Sequence, residues 1–368
     1  MADVKKMATR DGYGNGLVAL GAEFNDVVVL DADLSASTKT GMFKKAYPER
    51  HFNCGIAEGN MMAVAAGMAA TGLVPFASSF AMFAAGRAFE QIRNSIGYPA
   101  LNVKIGATHG GISVGEDGAS HQCCEDFALM RSIPGMTVIC PADGVEAAAA
   151  VKAAYLHQGP VYLRFGRLAV PVFHEEGFEF VIGKGEVMRD GSDVAIIANG
   201  LLVYEAVKAG EALAEMGINA MVINMSTVKP LDDELVLEAA RKCGKVITCE
   251  EHSVIGGLGE AVATLLSEKL PTPVRRIGVQ DVFGESGPAN DLLKKYGLTS
   301  DNIVAQNAVD VGVDVVGVEN DDVLFHCFSG GLGGNCSSGG GGSGLGRSLG
   351  LASAGSQTQA HCQSQDQG

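Results

Sequence analysis

Short runs of Val, Ile and Leu recur along this chain, and longer Ala-rich stretches with helical spacing lie between them. A strand with apolar residues at consecutive positions needs cover on both faces, and the intervening stretches are the natural cover. This alternation predicts α/β architecture, with two doubly wound domains built on mostly parallel sheets.

In the first unit the predicted strands are Val27–Asp31, Leu73–Ala77, Leu101–Ile105, Met136–Ile139 and Val161–Arg164. The predicted helices are Tyr13–Phe24, Glu58–Thr71, Met82–Ile96 and Gly144–His157. The second set has strands at Val194–Ala198, Ala220–Asn224, Lys245–Cys249 and Val274–Ile277, and helices at Tyr204–Met216, Asp232–Lys242, Gly257–Lys269 and Ala289–Tyr296. Gly297 reads as a C-cap before a short last helix. These elements divide the chain into a first domain at 1–168, a linker at 169–190, a second domain at 191–306 and a tail at 307–368. The tail is Gly-, Ser- and Gln-rich, and such a segment cannot bury enough apolar surface to offset its chain entropy, so disorder is expected there.

Net charge excludes some function classes. At −15, the surface argues against nucleic acid and anionic membranes as partners. The most apolar region, 61–89, is interrupted by Gly67, Gly72, Pro75 and Gly86, so no membrane span is expected. The N-terminus carries no secretory pattern. The nine cysteines follow neither a disulfide framework nor a zinc spacing. Reduced thiols and a cytoplasmic location are the expectation.

Three segments carry residues suited to chemistry. In GIAEGN, Gly55–Asn60, a glycine turn leads into a helix whose first turn holds Glu58. An acid there complements the helix dipole. This helix, however, is nearly all Ala, Met and Val, so a buried carboxylate needs a partner. In Phe76–Arg93, Phe80, Phe83 and Phe89 fall at helical spacing, which suits either a core stripe or a stacking platform for a flat ring. In THGGISVGEDGASHQ, Thr108–Gln122, two His, two acids and four Gly share one loop at a strand end. Ligands bind at such loops, and imidazoles beside Glu116 and Asp117 suit proton transfer near neutral pH.

Together these segments resemble the pyrimidine-binding domain of the transketolase family. GIAEGN matches the family's GIAEQN-type motif with Gly59 in the Gln place, SSFAMF its aromatic segment, and Gly115–Gln122 its GEDGxxHQ loop. The likeness continues through Ile133–Asp143 and Tyr162–Arg167. In the second unit EEHSVIGGLGEA, Glu250–Ala261, and QDVFGESG, Gln280–Gly287, resemble the family's C-terminal domain. The resemblance covers about Met7 to Val304.

The resemblance implies thiamine diphosphate as cofactor. Glu58 would hydrogen-bond a ring nitrogen of its aminopyrimidine and favour the imino form that deprotonates the thiazolium carbon. Phe80 and Phe83 would pack on the ring. Arg10, Ser37, His109 and Arg164 would bind a sugar phosphate. Asp117 and His121 would contact donor hydroxyls, with His121 assisting proton transfer. The reaction implied is transfer of a two-carbon ketol unit between phosphosugars, in the pentose phosphate pathway.

No GDG motif, the family's magnesium and diphosphate grip, occurs in the sequence. The resemblance therefore implies a C-terminal half that works with a separate N-terminal-half subunit, which would supply the Mg2+ ligands, in a heterotetramer. Three alternatives stand beside it: a 1-deoxyxylulose-5-phosphate synthase-like half, a 2-oxoacid dehydrogenase β-subunit, and a non-catalytic assembly subunit.

Overall fold

The computed structural model describes residues 5–311. In chain order the strands are β1 (Lys6–Ala8), β2 (Val27–Asp31), β3 (His51–Asn53), β4 (Val74–Phe80), β5 (Lys104–Thr108), β6 (Thr137–Ile139), β7 (Val161–Arg164), β8 (Ala169–Pro171), β9 (Glu186–Arg189), β10 (Val194–Ala198), β11 (Ala220–Asn224), β12 (Thr227–Lys229), β13 (Val246–Ser253) and β14 (Val274–Val279). Seven strands form one sheet in the order β12-β6-β7-β5-β4-β2-β3, five form another in the order β14-β13-β10-β11-β9, and β1 pairs with β8 in a short ribbon.

Pairing is parallel except at the ribbon and at the β12–β6 and β11–β9 edges. Every residue of β2, β4, β5, β7, β10 and β11 is buried, as the consecutive apolar runs require when helices cover both faces. Parallel register aligns the carboxyl ends of these strands: Asp31 pairs with Ser78, and Phe80 with Thr108. The segments that follow, with His109 and Gly111, share one edge of the sheet, where open α/β folds place ligands.

Two features tie the second unit to the first. Strand β12 comes from the second half of the chain yet covers the β6 edge of the first sheet, with Thr227 paired to Ile139. Asp143 caps helix Gly144–Leu156 by accepting from the amides of Val145 and Glu146, both at 2.9 Å. Its other oxygen accepts from the amides of Phe173 and His174, both at 2.9 Å, and from His174 Nδ1 at 3.0 Å. His174 Nε2 meets Glu186 of β9 at 2.9 Å, so one imidazole spans linker, helix cap and second sheet.

The expected helix at Met82–Ile96 is not a regular α-helix. Two π-helical stretches, Met82–Arg87 and Ile92–Gly97, flank a short turn at Phe89–Gln91, because Ala88 leaves helical geometry at φ −103° and ψ 15°. Wide turns of this kind gather at functional sites. Strand β4 runs on to Phe80, so Phe80 sits on the sheet and not on the helical stripe that its spacing suggested. The last helix, Ser300–Val311, continues past the expected boundary at 306. The remainder of the Gly/Ser-rich tail lies outside the described residues. Among the described residues no helix is long and apolar enough to cross a membrane.

Burial alone would lower the His174 imidazole, but the Asp143 bond, the Glu146 charge and the Glu186 bond outweigh it and raise it to about 9. A raised value means this charge stabilises the fold fully below pH ~6.5, the ordinary histidine value, and that the gain fades as pH rises toward 9. His174→Gln should therefore lower Tm most near pH 6, with the deficit shrinking by pH 9.5. A deficit that grows with pH contradicts this account.

Candidate active site

Glu58 is the first residue of helix Glu58–Ala70 and is only 1% exposed. Both carboxylate oxygens accept from Arg87 Nη1 at 3.0 Å. Arg87 lies at the end of the first π stretch, about half exposed, and its guanidinium carbon stands 4.7 Å from the centre of the Phe83 ring. The buried acid, a planar cation and an aromatic face thus form one stack.

From Phe83 the cluster continues. The Phe80 and Phe83 rings are near parallel, 12° apart, with centres separated by 5.7 Å. His109 stacks on Phe80 at 3.8 Å, and His121 stands edge-on to Phe83 at 5.3 Å and to Phe80 at 6.2 Å. His109 has φ 57°, a left-handed backbone uncommon for a side chain-bearing residue.

Arg10 Nη1 donates to the backbone oxygen of Ser37 at 3.1 Å and meets His109 Nε2 at 3.0 Å. Guanidinium can only donate, so Nε2 is the acceptor and the ring proton sits on Nδ1, 2.9 Å from Thr108 Oγ1. Burial first, then the charges of Arg10, Arg167, His121 and Lys39, hold the His109 imidazole down to about 3. Burial also lowers Arg10, Asp11 opposes that shift, and Arg167 adds to it. Arg10 Nε is buried and meets no acceptor among the described residues. Lys39 pairs with Asp11 at 3.0 Å, and Arg167 donates to Glu116 at 3.2 Å and to the backbone oxygen of Val114. Arg10 thus touches a neutral imidazole that also lies in the field of Arg167 and Lys39, a setting suited to an anion.

Glu58, Phe80, Phe83, His109, His121, Arg10 and the Ser37 backbone form one connected set of contacts, through Arg87 at the Glu58 end. Asp117 is exposed on the same loop as His121. Arg164 is the exception and corrects the phosphate role given to it. It is 3% exposed, and its guanidinium is spent on Asp126 at 3.1 Å and on the backbone oxygens of Glu251 at 2.7 Å and Cys123 at 3.3 Å. The reason is position: Arg164 is still inside strand β7, whereas Arg167 follows the strand end, within the field of Arg10 and His109.

Sequence reasoning missed Arg87 and Arg167. Arg87 carried a signal, as the first charge in an apolar segment that begins at Phe76. Gly59 has a structural counterpart too. A Cβ there would lie 3.0 Å from Gln91 Oε1, so an amide from another element stands beside the start of the Glu58 helix.

The donor set fits the aminopyrimidine end of thiamine diphosphate. A buried carboxylate beside an aromatic face suits a flat heterocycle with N–H donors, and Arg87 already presents a planar donor to both. Among the described residues no three His, Cys, Asp or Glu side chains are placed to hold a metal ion.

This α/β frame, with its acid-and-aromatic site at the strand ends, defines a cofactor-binding domain joined to a second sheet domain. Comparison with known proteins gives the family. Residues 5–172 match the transketolase pyrimidine-binding domain and residues 183–303 the transketolase C-terminal domain. A candidate transketolase C-terminal section of Methanocaldococcus jannaschii is 52% identical over 80% of this chain and 93% of its own length. A 6-deoxy-6-sulfo-D-fructose transketolase subunit of Clostridium sp. is 45% identical over 80% of this chain and 92% of its own. The solved structure of a split-gene transketolase, an inactive beta4 tetramer, is 52% identical at TM-score 0.77, covering 84% of this chain and 99% of that one. The chain belongs to the transketolase family and corresponds to the C-terminal half of a split transketolase.

With an imidazole value near 3, His109 should remain neutral from pH 5 to pH 8, which NMR of the imidazole nitrogens reads directly. Arg10→Ala removes one facing cation and should raise the value. A native His109 titrating near its ordinary value would contradict the cation cluster.

Proposed function

We propose that this chain supplies the aminopyrimidine end of a thiamine diphosphate site. With an N-terminal-half subunit that grips the diphosphate and its Mg2+, it would transfer a two-carbon ketol unit between sugar phosphates. The observation that carries this reading is the buried Glu58 carboxylate, whose hydrogen-bonding partner is a half-exposed guanidinium on an aromatic face.

Binding then becomes an exchange at Glu58. The carboxylate would exchange Arg87 for the ring nitrogen, and Phe80 and Phe83 would pack against the ring. When bound, the cofactor supplies the nucleophilic carbon that carries the two-carbon unit. Arg10, Arg167 and neutral His109 hold the anionic end of the sugar. The unspent Arg10 Nε offers it a donor, and guanidinium geometry suits either phosphate or sulfonate oxygens. His121, beside both rings, moves protons at the donor's hydroxyl, with Asp117 on the same loop. The likeness to a structure that is an inactive beta4 tetramer supports a chain that self-associates yet needs its other half, assembling as a heterotetramer. A place in the pentose phosphate pathway and a cytoplasmic location fit this reading.

The test is reconstitution with an N-terminal-half subunit. The chain alone should be inactive, and the pair should turn over a ketose phosphate only with thiamine diphosphate present. Glu58→Ala should reduce turnover by roughly 10²–10⁴-fold, the range of a lost proton-transfer group. An unchanged rate would leave only an assembly role. Arg87→Ala removes the competing partner and should lower the cofactor concentration giving half-maximal rate. A rise would mean that Arg87 helps to hold the ring.

A further inference from the structure

The loop that carries His109, Asp117 and His121 belongs to the first sheet, but it is fastened from the second. Glu251, on β13, is 3% exposed, and its Oε1 accepts the Ser113 amide at 2.5 Å. Its backbone oxygen accepts from Arg164 Nη2 at 2.7 Å. Gly111 has φ 85°, and a Cβ there would collide with Cδ of Glu251, so loop and carboxylate are fitted to each other. The loop closes on itself through Gly111 N to Cys123 O at 2.8 Å and turns within through Gly118 N to Gly115 O at 3.1 Å and His121 N to Gly118 O at 3.0 Å, and none of these bonds involves Ser113. At the far end, Gln122 Nε2 donates to Ile112 O at 3.1 Å and to Glu285 O of the second unit at 2.9 Å.

The neighbours of Glu251 on β13 act within their own surroundings. Glu250 accepts from the amides of Leu258 and Gly259, at 2.7 and 2.8 Å, at the start of the next helix. His252 accepts from the Phe127 amide at 3.1 Å and stacks on that ring. Of these three β13 side chains, Glu251 is the one bonded to the loop that follows His109. Burial raises its carboxyl above the ordinary range and the Arg164 charge opposes this. Its bond to Ser113 compensates a buried group that would otherwise lack a partner.

We propose that Glu251 is a positioning residue: through the Ser113 amide, the second domain sets where the His109–His121 loop stands relative to the Phe80–Phe83 platform. The catalytic side of this inference rests on the proposed reading of the site. The placement itself does not. The chain's second domain is then part of the active-site scaffold, acting through an acceptor and touching no substrate.

The test uses the full chain and two variants. Glu251→Ala should speed amide exchange across residues 111–122 about tenfold or more, with β10 and β11 unchanged. Glu251→Gln, whose side-chain oxygen still accepts from Ser113, should restore protection. In the reconstituted pair, with xylulose 5-phosphate as donor probe, the Ala variant should lose about tenfold or more in kcat/KM, with the half-saturating thiamine diphosphate concentration unchanged, and Gln should recover it. Unaltered exchange in the loop, Gln behaving as Ala does, or faster exchange throughout β10 and β11 overturns the inference. The exchange arm needs neither partner nor turnover. A Glu58→Ala pair that stays active overturns the site reading instead, so the two failures are told apart.

Discussion

Beneath the functional edge of this molecule lies an ion pair sealed from water, Arg164 with Asp126 at 3.1 Å, both almost fully buried. Its surroundings explain why it is tolerated. Tyr162 donates to Asp126 at 2.9 Å, Arg164 also donates to backbone oxygens of Cys123 and Glu251, and its guanidinium lies over Phe127 at 4.8 Å. These contacts join strand β7, the loop after His121 and strand β13, so the pair fastens both sheets at one point. Removing one partner of such a pair leaves the other charge stranded, at a cost of about 3–5 kcal/mol. The loop with His109 and His121 rests on this fastening, and Ser113 hangs from the residue whose backbone Arg164 holds.

The site above it combines two kinds of electrostatics. At one end Glu58 is a buried carboxylate balanced by one cation from a half-exposed side chain. At the other, the charges of Arg10, Arg167 and Lys39 act on an imidazole that stays uncharged because burial and these cations all push in the same direction. An aromatic pair separates the ends. A ligand with a flat donor-bearing ring near a second ligand with an anionic tail answers both, which is the arrangement expected where a coenzyme ring and a charged sugar meet. The network between the sheets keeps this geometry in place, whereas Arg87 stands half exposed at its rim.

Much of this was legible in the sequence because it is local. Consecutive apolar residues fixed the buried strands, and Glu58 stood out as an acid opening an apolar helix. What failed was set by tertiary placement. Arg164 and Arg167 share one motif, and only the end of β7 decides that the first is buried in an ion pair and the second lies in the site's field. Phe80 and Phe83 share a helical spacing, yet one ends a strand and the other opens a π turn. They meet all the same, because the strand end and the turn are adjacent. The β12 strand has three residues and pairs across the two units, a contact that no local pattern encodes. Glu251 looked like one acid in an EEH run, and nothing in its spacing names Ser113, 138 residues earlier, as its partner.

The most direct measurement is an experimental structure of this chain paired with an N-terminal-half subunit and thiamine diphosphate. The account predicts that a Glu58 oxygen lies within hydrogen-bonding distance of an aminopyrimidine nitrogen, about 2.6–3.0 Å, with Arg87 displaced and the ring against Phe83. A bound cofactor with Glu58 still clasped by Arg87 and the ring lying elsewhere would contradict it.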